Sequence, residues 1–264
     1  MKSHVKLQSK QGVGHPQHNT FLFTSAVRAA LCSPLWSLAL GVVVAVASAG
    51  PALAGNATSR VQDESTAVAR EKMEAIFQLA LADDVAGRHG QARKWFDALQ
   101  STELQEASAV PSAVNLAVLG RFEDAKSAFD KLASNPDSRV SSYAKLWQLW
   151  LFARTHAGKP SALQKQLIAP AKAIKAKDAP AKALAALFAG KGSASEVFAA
   201  IEAESFPSEA LRQDARAEAA FFVGGYLQYV RQDKTAALKI YRHELPSSNA
   251  SIERPLIKQA IEAL

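Results

Sequence analysis

Apolar and small residues along 73–132 recur at the three- and four-residue steps of helices. Ile76, Leu79 and Ala80 lead to Ala92, Phe96 and Leu99, and then to Ala113, Ala125, Phe129 and Leu132. Such steps keep a stripe on one helical face, and residues 55–264 show no period-two alternation of the kind that marks a half-buried strand. The spacing predicts an all-α chain. The pattern also repeats in its letters. The runs 87–99 and 120–132 both read G-R-x-x-x-A-x-x-x-F-D-x-L. The second follows the first by about 33 residues, and a period of this size marks stacked helical pairs. Alanine allows two helices to cross closely, a phenylalanine fills the space between one pair and the next, and glycine ends the first helix of each pair because it tolerates left-handed backbone angles.

The same alternation continues in a more degenerate form. Trp147, Trp150 and Gly158 precede Leu163 and Leu167, with Pro170 expected to end that second helix and 169–178 to form a connection. Leu184, Ala185, Phe188 and Gly192 precede Val197 and Ile201. The last unit fits two registers, one carrying Phe221, Gly225, Ala237 and Tyr241, the other Gly224, Ala236 and Ile240. The segment 251–264 reads as a terminal helix with Pro255 in its first turn, where its missing N–H costs nothing.

These residues resemble the tetratricopeptide repeat, a helix–turn–helix of about 34 residues. The resemblance is strongest in the second helices, at Gly87, Ala92 and Phe96 and again at Gly120, Ala125 and Phe129. It implies an α–α superhelix of about five pairs over 73–105, 106–139, 144–177, 178–212 and 218–250, closed by a C-terminal capping helix.

The segment 1–54 has the order of an export signal. Lys2, Lys6, Lys10 and Arg28 precede an uncharged run that ends in Gly50-Pro51 and Ala52-Leu53-Ala54, an A-x-A cleavage site. The uncharged stretch 29–59 also suits an uncleaved membrane anchor. Either reading exports residues 55–264, to the periplasm of a bacterium. Cys32, the chain's single cysteine, follows Leu31 where a lipidation signal needs a small residue, so the exported part has no cysteine. An exported domain without disulfides suits a bacterial envelope.

Charge changes the picture modestly. The whole chain carries +7, but loss of the four basic leader residues leaves +3. Residues 61–106 hold nine acids against five bases, and 155–200 hold seven lysines against two acids. Lysines that solvate alanine-rich helices account for that asymmetry.

Catalytic and metal constellations are not legible. His89, His156 and His243 stand far apart and without H-E-x-x-H spacing. There is no G-x-S-x-G. Asp83-Asp84 sit at the end of a first helix, where adjacent side chains diverge by about 100° and read as a solvated helix end. Gly190-Lys191-Gly192-Ser193 lacks the spacing of a phosphate loop. No enzyme activity, cofactor, metal or nucleic-acid ligand is expected.

The family's groove is lined by one face of the first helices. Carried onto this chain, the resemblance implies Phe77, Leu81 and Asp84, then Val110, Val114 and Val118, then Lys145, Gln148 and Phe152, and finally Phe222, Tyr226 and Tyr229. A peptide held there would use apolar contact and tyrosine hydroxyls. The expected function is a non-enzymatic scaffold for a protein or peptide partner in the cell envelope. The alternative is an accessory subunit that pairs copies of itself through exposed apolar helix faces.

Overall fold

The computed structural model describes residues 54–248 and 251–264, and every regular element among them is helical. The leader expected over 1–54 lies outside them except for Ala54, and no described helix is long and apolar enough to cross a membrane. The helices are α1 (Ala54–Val85), α2 (His89–Leu99), α3 (Gln105–Val118), α4 (Phe122–Leu132), α5 (Ser138–Thr155) and α6 (Pro160–Lys172). They continue as α7 (Ala179–Phe188), α8 (Ala194–Glu202), α9 (Glu209–Gly225), α10 (Lys234–Glu244) and α11 (Arg254–Ala263). A π-helical turn, Tyr226–Val230, extends α9.

The helices follow one another as pairs, α1–α2 through α9–α10, and each packs on its neighbours in sequence. The repeated letters have one cause at three places. Gly87, Gly120 and Gly190 have φ of +81°, +73° and +72°. At each, the glycine N–H reaches the carbonyl three residues back and the next N–H reaches five back, as in Gly87 to Asp84 and Arg88 to Asp83. This is the left-handed closure that satisfies the last carbonyls of a helix. In the fourth pair Gly190 does this, just ahead of the Gly192 expected for it. In the fifth, Gln232 takes the left-handed position with φ of 58°. Gln232 stands to Glu218 in sequence as Gly87 stands to Met73. Ala237 and Tyr241 are buried, as the first of the two registers places them.

The small and aromatic positions do what close helix crossing requires. Ala80, Ala92, Phe96, Ala113, Ala125 and Phe129 are all fully buried. The later second helices rely on side-chain caps. Ser193 and Glu196 form a capping box on α8, and Asp233 accepts from Ala236 N at 2.9 Å on α10. Pro170 departs from expectation, because α6 runs past it to Lys172. Pro170 and Gln166 are both exposed, so the carbonyl left without a donor faces water, while buried Leu167 and Ala171 hold the helix on the core. Pro255 lies in the first turn of α11, as expected.

The chain also makes contacts that skip units. α5 touches α9, and α11 returns to α1. Gln259 on α11 donates to the Val118 carbonyl at 3.1 Å, and Tyr143 on α5 donates to Glu253 just before α11. The C-terminus is thereby tied to the first half of the chain.

Candidate interaction site

Aromatic side chains join the third and fifth units. Trp147 stacks on Phe129 with centroids 4.8 Å apart and leans on Phe221 at 4.7 Å, and Trp150 meets Phe221 at 4.9 Å. Gly225 on α9 makes this approach possible, and the adjacent Gly224 lets α10 close on the same helix. A Cβ at Gly225 would enter the Trp150 indole, and one at Gly224 would enter the Tyr241 ring.

This packing determines where the expected groove residues lie. Phe222 is fully buried, edge-on to Tyr143 and Trp147 at 6.1 and 5.9 Å. Tyr226 is buried against Phe188, with its hydroxyl donating to Gln164 Oε1 at 2.9 Å. The groove-side face of α9 is thus turned into α5, α6 and α7. In the first unit Phe77 and Leu81 belong to a small core with Ala92, Phe96 and Leu99. Val110, Val114 and Val118 are buried as well. None of these seven offers surface to a partner: helix packing claims the face that an open array leaves free.

Asp84, the remaining first-unit position, and its neighbour Asp83 are also buried, not a solvated helix end. Asp83 accepts from Arg88 Nε at 2.8 Å and from Trp95 Nε1 at 2.9 Å. The Arg88 hydrogen bond holds its carboxyl below the ordinary range. Asp84 accepts from Asn115 Nδ2 at 2.9 Å and pairs with His89 Nδ1 at 2.6 Å. Burial nevertheless pushes the Asp84 carboxyl up. Arg93, buried too, reaches Ser112 O and Ser112 Oγ at 2.9 and 2.8 Å. These groups form a polar seam between the first two pairs. The sequence signal for it is the neighbouring polar run Asp83-Asp84 and Arg88-His89, which reads as surface because the partner that bridges it, Asn115, lies 26 to 31 residues away.

A second acidic group lies between α5, α9 and the start of α11. Burial raises Glu218 well above the usual carboxylate range, and Glu253, Asp214 and Asp178 add repulsion. Burial also raises Glu253, which accepts from Tyr143 and from Ser251 Oγ. Among the described residues no group of three or more His, Cys, Asp or Glu is placed to hold a metal ion.

What stays open is the outer face of α5. Lys145 and Gln148 are half-buried, Phe152 is 41% exposed, and their spacing puts all three on one side of the helix. Gln148 Nε2 donates to Asp130 Oδ1 on α4 at 2.7 Å, which steers its amide along the α4–α5 crest. Phe152 lies 5.8 Å from the His156 ring. Tyr229, half-buried, is edge-on to Trp150, and the Arg154 guanidinium sits over its ring at 5.3 Å and over Phe122 at 5.2 Å. Sequence reading missed Arg154, which links three units by cation–π contact.

Comparison with protein-family models gives no match, and no curated protein matches the chain.

Proposed function

We propose that the chain is a tetratricopeptide-like scaffold of the bacterial cell envelope, exported by its N-terminal segment and holding a partner protein without catalysing a reaction. Its helical pairs form a solenoid-like array whose C-terminal helix folds back toward its start. The observation that carries the reading is the left-handed closure at Gly87, repeated one unit later at Gly120, with the Ala–Phe packing that follows each. Repetition of a structural unit with so little ordered chemistry on its surface suits binding better than catalysis.

The partner surface is the outer face of α5, where an exposed aromatic, an amide and an ammonium are spaced along one helix. An exposed phenylalanine gives a partner apolar area, and Lys145 and Gln148 give it polar contacts. A photoreactive side chain placed at Phe152 in cells tests this. The expected result is a discrete adduct with one envelope protein, lost on Lys145→Glu. Adducts from Phe152 no more abundant than those from buried Val114 would overturn the surface, and fractionation of the chain with the cytosol would overturn the export.

A further inference from the structure

The last helix is fastened through a buried carboxyl with no base beside it. Glu253, immediately before α11, is 3% exposed, and Ser251 is 1% exposed. Glu253 Oε1 accepts from the Tyr143 hydroxyl of α5, and Oε2 accepts from Ser251 Oγ at 2.6 Å. Neither oxygen caps the first turn of α11. Tyr143 serves as a neutral donor, because burial and the nearby Glu253 push its hydroxyl up. Glu218 reaches the same seam from α9, with Asp214 one turn earlier on the same helical face. Asp178, which caps α7 through Ala181 N, also acts on Glu218. The charged groups around Glu218 are thus all acids. The bases of the neighbouring segments are turned elsewhere. Arg254 Nη1 donates to Leu245 O and Ser248 Oγ, and Arg216 of α9 is taken by Glu202 and by the buried Glu244 of α10. Among the described residues no lysine, arginine or histidine pairs with Glu218 or Glu253.

Two carboxyls enclosed together without a cation are costly to ionise, because each loses water and each repels the other. One motion relieves both costs. Release of 251–264 carries Glu253 into water and opens Glu218 to it, while α9 stays on α5 through Phe221 and Trp150. We infer that this seam is a proton-dependent latch: α11 holds to α5 and α9 while Glu218 or Glu253 keeps its proton, and lets go as both ionise. The direction follows from the two groups, whose folded carboxyls burial holds above the ordinary range. Attachment is complete below the ordinary carboxylate pKa of about 4.3 and weakens as pH rises toward and through the folded values. Each proton released on opening weakens it by about tenfold per pH unit in that window. Opening also uncovers Leu256 and Ile257, which are buried while α11 is attached.

The test is hydrogen exchange of the intact chain, read fragment by fragment by mass spectrometry from about pH 5 to pH 9. With intrinsic exchange rates divided out, protection of α11 should fall as pH rises, by about tenfold per pH unit for each proton released. It should also stay below the protection of α9, so that the last helix leaves while its platform remains folded. Glu253→Gln keeps an acceptor for Tyr143 and removes the charge, and should flatten much of the fall. The double variant Glu218→Gln with Glu253→Gln should flatten it fully. Glu262→Gln, on the exposed side of α11, should change nothing. Protection of α11 that is constant with pH, a fall that persists in the double variant, or α11 exchange no faster than that of α9 would each overturn the inference. The latch makes no use of export or of the Phe152 surface, so failure of either leaves it standing.

Discussion

Gly224 on α9 lets two helices approach closely, and its replacement by alanine has a magnitude that can be worked out. In a helix interior alanine is favoured over glycine by about 1 kcal/mol. At Gly224 the new Cβ would fall within the Tyr241 ring, and Tyr241 is only 1% exposed, so the ring has no free direction to move. Overpacking of a filled core costs about 1–3 kcal/mol, and this overlap belongs at the upper end. The net expectation is destabilisation by about 2 kcal/mol, or a fall in Tm of about 4–8 °C for a chain of this size. Gly90 in α2 is the control. It is exposed and nothing lies within 4 Å of its Cβ site, so Gly90→Ala should raise Tm slightly. Calorimetric melts of both variants check the sign of each. Repeating Gly224→Ala in a Tyr241→Leu background should abolish the cost, giving a coupling of about 2–3 kcal/mol. A Gly224→Ala chain that melts at or above its parent, or a cost unchanged in the Tyr241→Leu background, would refute the reasoning.

Other consequences follow from the polar and core groups. Glu218 has a folded carboxyl pushed up by burial and by neighbouring acids. Its cost to stability is absent below the unfolded pKa, builds as pH rises from there and is complete above the folded one, at about 1.4 kcal/mol for each pH unit between the two. Denaturant midpoints of Glu218→Gln should exceed the parent's at neutral pH and converge with it in acid; a parallel offset at all pH values would contradict this. Asn115→Ala removes a fully buried amide that bridges Asp84 and the His89 carbonyl, and should cost about 2–3 kcal/mol, with hydrogen exchange rising first in α1 and α2. Trp147→Ala, at the centre of the aromatic cluster, should cost about 3–5 kcal/mol in urea unfolding. Gly120→Ala has open space around its Cβ and should lose only about 1 kcal/mol in the same assay, from left-handed strain alone.

The fold was legible where local rules act. A left-handed turn is a property of a few residues, so Gly87 and Gly120 reported it directly, and the buried Ala–Phe pairs followed from periodicity. Gln232 in the same backbone region could not be read, because nothing in the sequence singles out a glutamine there; its side chain supports the turn by donating to the Tyr229 carbonyl at 2.7 Å. Site residues were less legible. Phe222 and Tyr226 have the spacing of a groove lining and of a core stripe alike. Only the approach of α9 to α5, made possible by Gly225, decides between them. Among the described residues no later helix covers Phe152, so it stays at the surface beside half-buried Lys145 and Gln148.

The bond from Gln259 to Val118, with Tyr143 to Glu253, joins positions 141 and 110 residues apart. In an open stack each unit depends only on its neighbours, so unfolding runs inward from an end and synthesis can fold the chain as it emerges. Here α11 is also bonded to the second unit, far from it in sequence. A chain lacking residues 251–264 would lose α11 and the contacts it makes with α1. Its transition should broaden from one cooperative step toward several. With such a result α11 would count as a clasp, supplying cooperativity between helical pairs more than stability to any one of them.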